Sequence, residues 1–216
     1  NASIEAGIQR IVFVSSIGVL GSSTNGAPFS DYSPPRPSAL YAESKLEAEH
    51  FLVASLRGRD DIDWVILRPP LIYGPNCPGN IAKLIKFVKK LPVVPFGSMN
   101  SRKSFVSIKN FVNILYLCTC HPRVSRKAFV VSDCDDISVA EMFAYLLYGL
   151  NISKFRLLRF PRILMFFLSK IFGVSGLYQQ VVSELLVDPS GFLAATGWVP
   201  LSSCRDELKL TAKSFK

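Results

Sequence analysis

The sequence predicts an α/β fold organised on a parallel sheet, and three segments carry that prediction. Arg10 to Ser16 is a near-continuous apolar run that ends in two small polar residues. This is the pattern of a strand buried on both faces whose C-terminal end opens onto a site. Residues 39–56 read as a helix, with Leu40, Phe51 and Leu52 among its apolar contacts and Glu43, Lys45, Glu47 and Glu49 forming a polar side. Asp63 to Arg68 is a second buried strand, halted by Pro69 and Pro70 because proline donates no hydrogen bond to a ladder. Strand, loop, helix and strand in this order make a parallel crossover.

The elements around this unit follow from the same patterns. Gly21 to Pro37 is rich in Gly, Ser, Asn and Pro and reads as a long surface loop, and long loops in compact domains are usually functional. Residues 80–90 are helical, with Ile81, Leu84, Ile85 and Val88 on one face. Short strands are expected around Val93 and Val94 and from Ser104 to Ile108, then a helix from Asn110 to about Cys118. Lys127 to Ser132 reads as the last parallel strand, and Ser138 and Glu141 stand at capping-box spacing for a helix to Leu150. There is no internal repeat and no low-complexity tract.

Composition narrows the class. With 216 residues, 49% hydrophobic and 19% charged, the chain can bury a full core, and disorder is excluded. The five cysteines (77, 118, 120, 134 and 204) form no C-x-x-C pair and fit reduced thiols in a cytoplasmic protein. His50 and His121 are the only histidines; Cys118 and Cys120 beside His121 lack a fourth ligand, so no metal is expected. The charge of +9 admits nucleic acid, an anionic membrane or a phosphorylated substrate as partner. No apolar run reaches the roughly 20 residues of a spanning helix. The stretch Lys154 to Lys170 is basic and apolar without a single acid. Such a composition can lie on a membrane surface, and a buried helix of a substrate-binding lobe explains it equally well.

The chemistry concentrates where the strand, loop and helix meet. Tyr41 and Lys45 are four residues apart, hence on one helix face and one turn from each other. A phenol ionises near 10 in water, and a neighbouring ammonium favours the phenolate that a base at neutral pH needs. A strand ending in Ser15 and Ser16 precedes this pair, and one ending in Arg68 and Pro69 follows it.

Taken together, Val14 to Gly21, Tyr41-Ala-Glu-Ser-Lys45, Leu67 to Pro75, and Val187 to Ser190 leading to Gly197-Trp-Val-Pro200 resemble the extended short-chain dehydrogenases, specifically the NAD-dependent epimerase/dehydratase family that acts on sugar nucleotides. The resemblance covers essentially the whole chain. It implies the C-terminal part of a Rossmann-type parallel sheet, residues 1–74 with 103–135 returning to it, and a smaller α/β substrate-binding lobe from 75–102 and 136–216. It makes Tyr41 the general acid/base, Lys45 the cation that favours the phenolate and holds the nicotinamide ribose, and Ser16 the hydroxyl on the reacting sugar oxygen, in preference to Ser15, which falls on the cofactor side. Pro69 and Leu71 fall where the family brings backbone near the nicotinamide. For the nucleotide diphosphate it points to Asn80 at a helix start and to Arg102 or Lys103. Phe96 falls where family members stack or enclose the base. Ordinary capping, core packing and surface charge also account for these four residues.

The resemblance further implies NAD or NADP as cofactor, a homodimer, a nucleotide-sugar substrate and no nucleic-acid partner. The family begins with a strand, a Gly-rich turn and a helix that cradle the cofactor pyrophosphate, and none stands before Asn1. The chain is therefore expected to be a fragment or the product of a truncated gene, and to bind the dinucleotide poorly alone. Sugar-nucleotide 4-epimerases and 4-keto sugar reductases for surface polysaccharides share this Ser, Tyr and Lys set. A 3β-hydroxysteroid dehydrogenase-like enzyme shares it too, and a non-catalytic binding or oligomerisation module is the reading from outside the enzymes.

Overall fold

Strand β1 (Arg10–Val14) pairs in parallel with β2 (Asp63–Arg68), Arg10 opposite Asp63 and Val14 opposite Leu67. On its other edge β2 pairs in parallel with β6 (Lys127–Val130), giving the order β1-β2-β6. Helix α1 (Leu40–Ser55) makes the crossover between the first two strands. The computed structural model describes residues 6–24, 26–171, 173 and 175–215. Strand β6 completes the expected parallel sheet, whose core includes Val65, Leu67 and Phe129 together with Val131 just past the strand.

Two further pairs of very short strands attach the rest of the chain. Strand β3 (Ile72–Tyr73) runs parallel to β5 (Val106–Ser107), and β4 (Arg102–Lys103) runs antiparallel to β7 (Ile137–Ser138). The single strand expected from Ser104 to Ile108 is thus two strands separated by the buried Ser104 and Phe105. The strand expected at Val93 and Val94 is only an isolated bridge from Val94 to Leu157. Each pair closes through residues distant in sequence, so local propensity gives no sign of it.

Helix α2 (Asn80–Lys90) has the expected bounds and buries Ile81, Ile85 and Val88. Helix α3 (Ile108–Cys120) begins two residues earlier than expected, capped by the Ser107 hydroxyl on Asn110 N–H. Helix α4 (Val139–Gly149) starts on a complete capping box between Ser138 and Glu141. Four helices follow: α5 (Arg162–Ile171), α6 (Ser175–Val182), α7 (Ser190–Thr196) and α8 (Cys204–Lys213). Helices α4 and α8 meet at Gly149, where any side chain would collide with the Lys209 carbonyl and the Ala212 methyl.

The capping box has a pH consequence. Bonds from the Ser138 N–H and hydroxyl hold the Glu141 carboxyl below its ordinary value. A carboxyl whose folded pKa is depressed stabilises the fold above its unfolded pKa and loses that contribution as pH falls through the folded value. Glu141→Gln should therefore lose less stability than the parent between about pH 7 and about pH 3, with a difference of up to about 1 kcal/mol. Urea midpoints of both proteins at the two pH values measure it.

The interior holds a sheet cluster and a lobe cluster, with a smaller third cluster of Ile17, Val19, Leu20, Val130 and Val187. Phe192 of α7 and Trp198, in the stretch assigned from sequence to the lobe, pack in the sheet cluster with Phe129. The lobe cluster joins α2, α4 and α8 around Phe143, Leu146 and Leu208. The two are tied by Asp133. Its carboxylate accepts from Tyr73 Oη at 2.9 Å, from Ser107 N at 2.9 and 3.0 Å and from Asn110 Nδ2 at 2.7 Å. Burial pushes this carboxyl up against those bonds. The same Asn110 amide holds Ser202 O and Leu201 N, fastening the chain ahead of α8.

Residues 184–188 form a strap. On one edge they bond the surface loop, Thr24 N to Glu184 O at 2.9 Å, Phe29 N to Leu186 O at 2.9 Å and Asp188 N to Phe29 O at 2.8 Å. On the other they bond β4 and its successor, Leu185 N to Arg102 O at 3.2 Å and Ser104 N to Leu185 O at 2.8 Å. Beyond the strap, Gly191 lies so close to Asp31 of the loop that a methyl would overlap the carboxylate. That carboxylate accepts Val130 N–H at 2.7 Å at the end of β6. Its pKa is raised, chiefly by burial.

Candidate functional site

The site forms at the C-terminal edge of β1 and β2, where a parallel sheet opens its crevice. The chain leaves β1 through Ser15, whose N–H bonds Leu67 O at 2.8 Å, and Ile17 N–H bonds Pro69 O at 2.8 Å. These two bonds hold the turn after β1 to the end of β2. Ser16 caps a short 3-10 turn (Ile17–Val19), its Oγ accepting Gly18 N–H at 3.1 Å. The hydroxyl proton is not consumed by that bond and remains available to an oxygen of a ligand. Ser15 Oγ is buried and, among the described residues, has no hydrogen-bond partner.

Helix α1 brings Tyr41 and Lys45 to this edge. Tyr41 lies in the first turn and is 64% exposed. Lys45 Nζ donates to Val14 O at 3.1 Å, at the last residue of β1, and lies 5.1 Å from the Phe13 ring centroid and 5.9 Å from that of Tyr41. One ammonium proton is thereby spent and two remain. The structure thus gathers Ser15, Ser16, Tyr41 and Lys45 at one strand end.

Glu49, expected on the polar side of α1, is buried one turn beyond Lys45. It receives Arg68 of β2 through two bonds, Nε to Oε1 at 3.0 Å and Nη2 to Oε2 at 2.6 Å. Conversely Leu40 and Phe51, expected as apolar contacts, are exposed. The helix approaches the sheet along Ala42, Leu46 and Glu49, which puts Leu40 and Phe51 on its far side. The Glu49–Arg68 pair was missed from sequence because its members are 19 residues apart on different elements. The one available signal was an arginine ending an otherwise apolar strand.

The remaining predicted residues lie further along the edge. Pro69 and Leu71 both have their carbonyls engaged, Pro69 O by Ile17 N–H and Leu71 O by Val106 N–H; the Leu71 side chain is exposed. Asn80 is the exposed first residue of α2, behind Gly79, which caps the helix without any side-chain bond to its free N–H groups. Arg102 is exposed, and Lys103 is half-buried with its ammonium pushed down to about 8 by burial. Consecutive residues of a strand face opposite ways, so only one of the two can serve a given ligand. Phe96 is a correction to the sequence reading. It is buried and stacked on Phe143 with centroids 4.6 Å apart and planes 7° apart. Its ring is core packing of the lobe, with one face on Phe143, rather than an open platform for a base.

The nicotinamide end of a dinucleotide fits these residues. Lys45 keeps two donors, the Tyr41 phenol is open to solvent, and Ser15 Oγ is a buried polar atom without a partner among the described residues. Such a cofactor, when bound, would supply a hydride acceptor or donor there.

Comparison with known proteins agrees with this geometry. The profile of the NAD dependent epimerase/dehydratase family matches residues 1–132. The chain is 36% identical over 215 residues to UDP-glucose 4-epimerase of Vibrio cholerae, covering 99% of this chain and 65% of that protein. The chain thus spans about two-thirds of its relative's length. The solved UDP-glucose 4-epimerase of Thermotoga maritima with UDP-glucose shares the fold at a TM-score of 0.74 and 21% identity, over 99% of this chain and 65% of that one. The dTDP-glucose 4,6-dehydratase of Bacillus anthracis in complex with NAD shares it at 0.74 and 13% identity, over 99% and 64%. With the Ser16, Tyr41 and Lys45 arrangement at the strand edge, the profile match establishes that the chain belongs to the NAD-dependent epimerase/dehydratase family.

Proposed function

We propose that the protein is an NAD(P)-dependent sugar-nucleotide 4-epimerase or 4-keto sugar reductase that supplies sugars for surface polysaccharides. The observation that carries this reading is the convergence of Lys45 and Tyr41, one helical turn apart, on the end of β1 that continues into Ser16. The 36% identity to UDP-glucose 4-epimerase supports the substrate class.

In this reading Tyr41 Oη takes the proton from the sugar hydroxyl as the carbon is oxidised and returns it on reduction. The Ser16 hydroxyl donates to the same sugar oxygen and orients it. Lys45 uses its two remaining protons on the cofactor ribose, while its bond to Val14 O fixes the ammonium beside the phenol. Free N–H groups at the start of α2, with Asn80, bind the diphosphate. Arg102 is its cation in preference to Lys103, because it is exposed and always charged. The exposed Phe51, Val112 and Tyr116 on α1 and α3 support a homodimer through these helices.

The test is to incubate the protein, expressed from its native gene, with UDP-glucose and with UDP-N-acetylglucosamine, each deuterated at C4, and to follow products by NMR. Conversion to the galacto isomer with the label retained at C4 assigns the epimerase. Stoichiometric consumption of reduced cofactor with a 4-keto sugar assigns the reductase. Binding of neither sugar nucleotide nor NAD(P) would refute both.

A further inference from the structure

Helix α5 carries apolar side chains around most of its circumference, and among the described residues several of them are largely exposed. Met165 is buried and Phe166 is half-buried near Tyr178 of α6, with ring centroids 6.4 Å apart. Across the helix from Met165, Ile163, Phe167 and Ile171 recur every fourth residue, with Leu164 beside them, within roughly 100° of arc, and Ile163 and Phe167 also border the groove toward α6. Their exposures are 73%, 57%, 76% and 43% in the order Ile163, Phe167, Ile171, Leu164. Just ahead of the helix Phe155 is 83% exposed. An apolar groove of about 470 Å³ runs between α5 and α6, with Arg162 among its walls.

The charge around this face has one sign. Between Glu141 and Glu184 the sequence holds no acid, and its cations there, Lys154, Arg156, Arg159, Arg162 and Lys170, are all exposed. Among the described residues no helix is long and apolar enough to cross a membrane. An apolar stripe flanked by cations is what an interfacial helix presents to anionic headgroups. A second copy of the chain is a poor occupant, since a two-fold contact through this face would set the same five cations against one another.

We propose that α5 and the residues just before it dock the protein on the surface of an anionic lipid bilayer. Ile163, Leu164, Phe167 and Ile171 enter the headgroup boundary, while the basic side chains hold lipid phosphates. The segment 154–160 lies along residues 94–98 of the lobe, through Val94 N to Arg156 O at 2.7 Å and Gly97 N to Leu158 O at 2.9 Å. Docking therefore sets the lobe itself close to the membrane.

Flotation with vesicles tests the proposal on the protein as its gene expresses it. Vesicles of phosphatidylcholine alone and with equal parts phosphatidylglycerol are compared at low salt and at about 1 M salt, where the Debye length is about 3 Å. Binding to the anionic vesicles only, lost at high salt, is the expected result. Phe167→Ser and Ile163→Ser should each weaken it by about tenfold, and Arg159→Gln and Arg162→Gln by about fivefold each. All four sites are exposed, so thermal melts should match the parent. Absence of flotation with anionic vesicles at low salt overturns the proposal, as does flotation indifferent to Phe167→Ser. Sedimentation showing a dimer that Phe167→Ser dissociates would give the face to a second copy instead.

Discussion

Tyr41→Phe should lower kcat for the sugar nucleotide by about 10²–10⁴-fold, the usual contribution of a positioned general acid/base. The substitution removes one oxygen from a side chain that is 64% exposed, and no hydrogen bond of the fold depends on it. Stability should stay within about 0.5 kcal/mol of the parent, and cofactor affinity should change little while Lys45 keeps its bond to Val14 O. The measurement is kcat and KM from one progress-curve series, with NAD(P) affinity by titration calorimetry on both proteins. A variant that retains kcat within tenfold would remove Tyr41 from the reaction. A variant that loses cofactor binding instead would make Tyr41 a binding residue, and the proton would need another carrier.

The second large effect belongs to the buried pair beneath the site. Glu49→Ala should cost about 3–5 kcal/mol, because it leaves the Arg68 guanidinium uncompensated in a space where its side chain is only 10% exposed. For a chain of this size that corresponds to a fall in Tm of roughly 6–20 °C. Replacing both members, Glu49→Leu with Arg68→Met, should recover most of the loss, since apolar pairs of similar volume often replace a buried ion pair at little cost. Denaturant unfolding of Glu49→Leu, Arg68→Met and the double variant completes the cycle, with Glu49→Ala measured beside them. A single-variant loss under about 1 kcal/mol would mean that water reaches the guanidinium. The pair also fixes the rotation of α1 about its axis, so the Glu49 variant should weaken cofactor binding through Lys45, one turn away.

How much of this was legible in the sequence depended on whether a residue's partner was near it in the chain. The first crossover could be read because β1, α1 and β2 are each long enough for periodicity to speak, and α2 because its apolar face repeats over three turns. The capping box of α4 is a four-residue pattern, complete in itself. The strands β3, β4, β5 and β7 are two residues each and exist through pairing across the chain, such as Ile72 with Val106. Ser16, Tyr41 and Lys45 could be named from spacing and resemblance, and the structure brings them to one strand end. Burial of Glu49 could not be read, because a glutamate between polar neighbours on a helix looks solvated until Arg68 is known to face it. Phe96 misled for a related reason: a lone aromatic in a short turn fits a ligand or a core, and only the position of Phe143 decides.

The strap at residues 184–188 makes the two ends of the candidate site mechanically continuous. It is bonded on one side to the loop that follows Ser16, itself pinned near the turn by Arg36 N–H on Val19 O, and on the other to the strand that carries Arg102. Tension applied at either side is transmitted through five residues of backbone with no joint between them. In the proposed function, a phosphate that drew Arg102 inward would pull through this strap on the loop that follows Ser16.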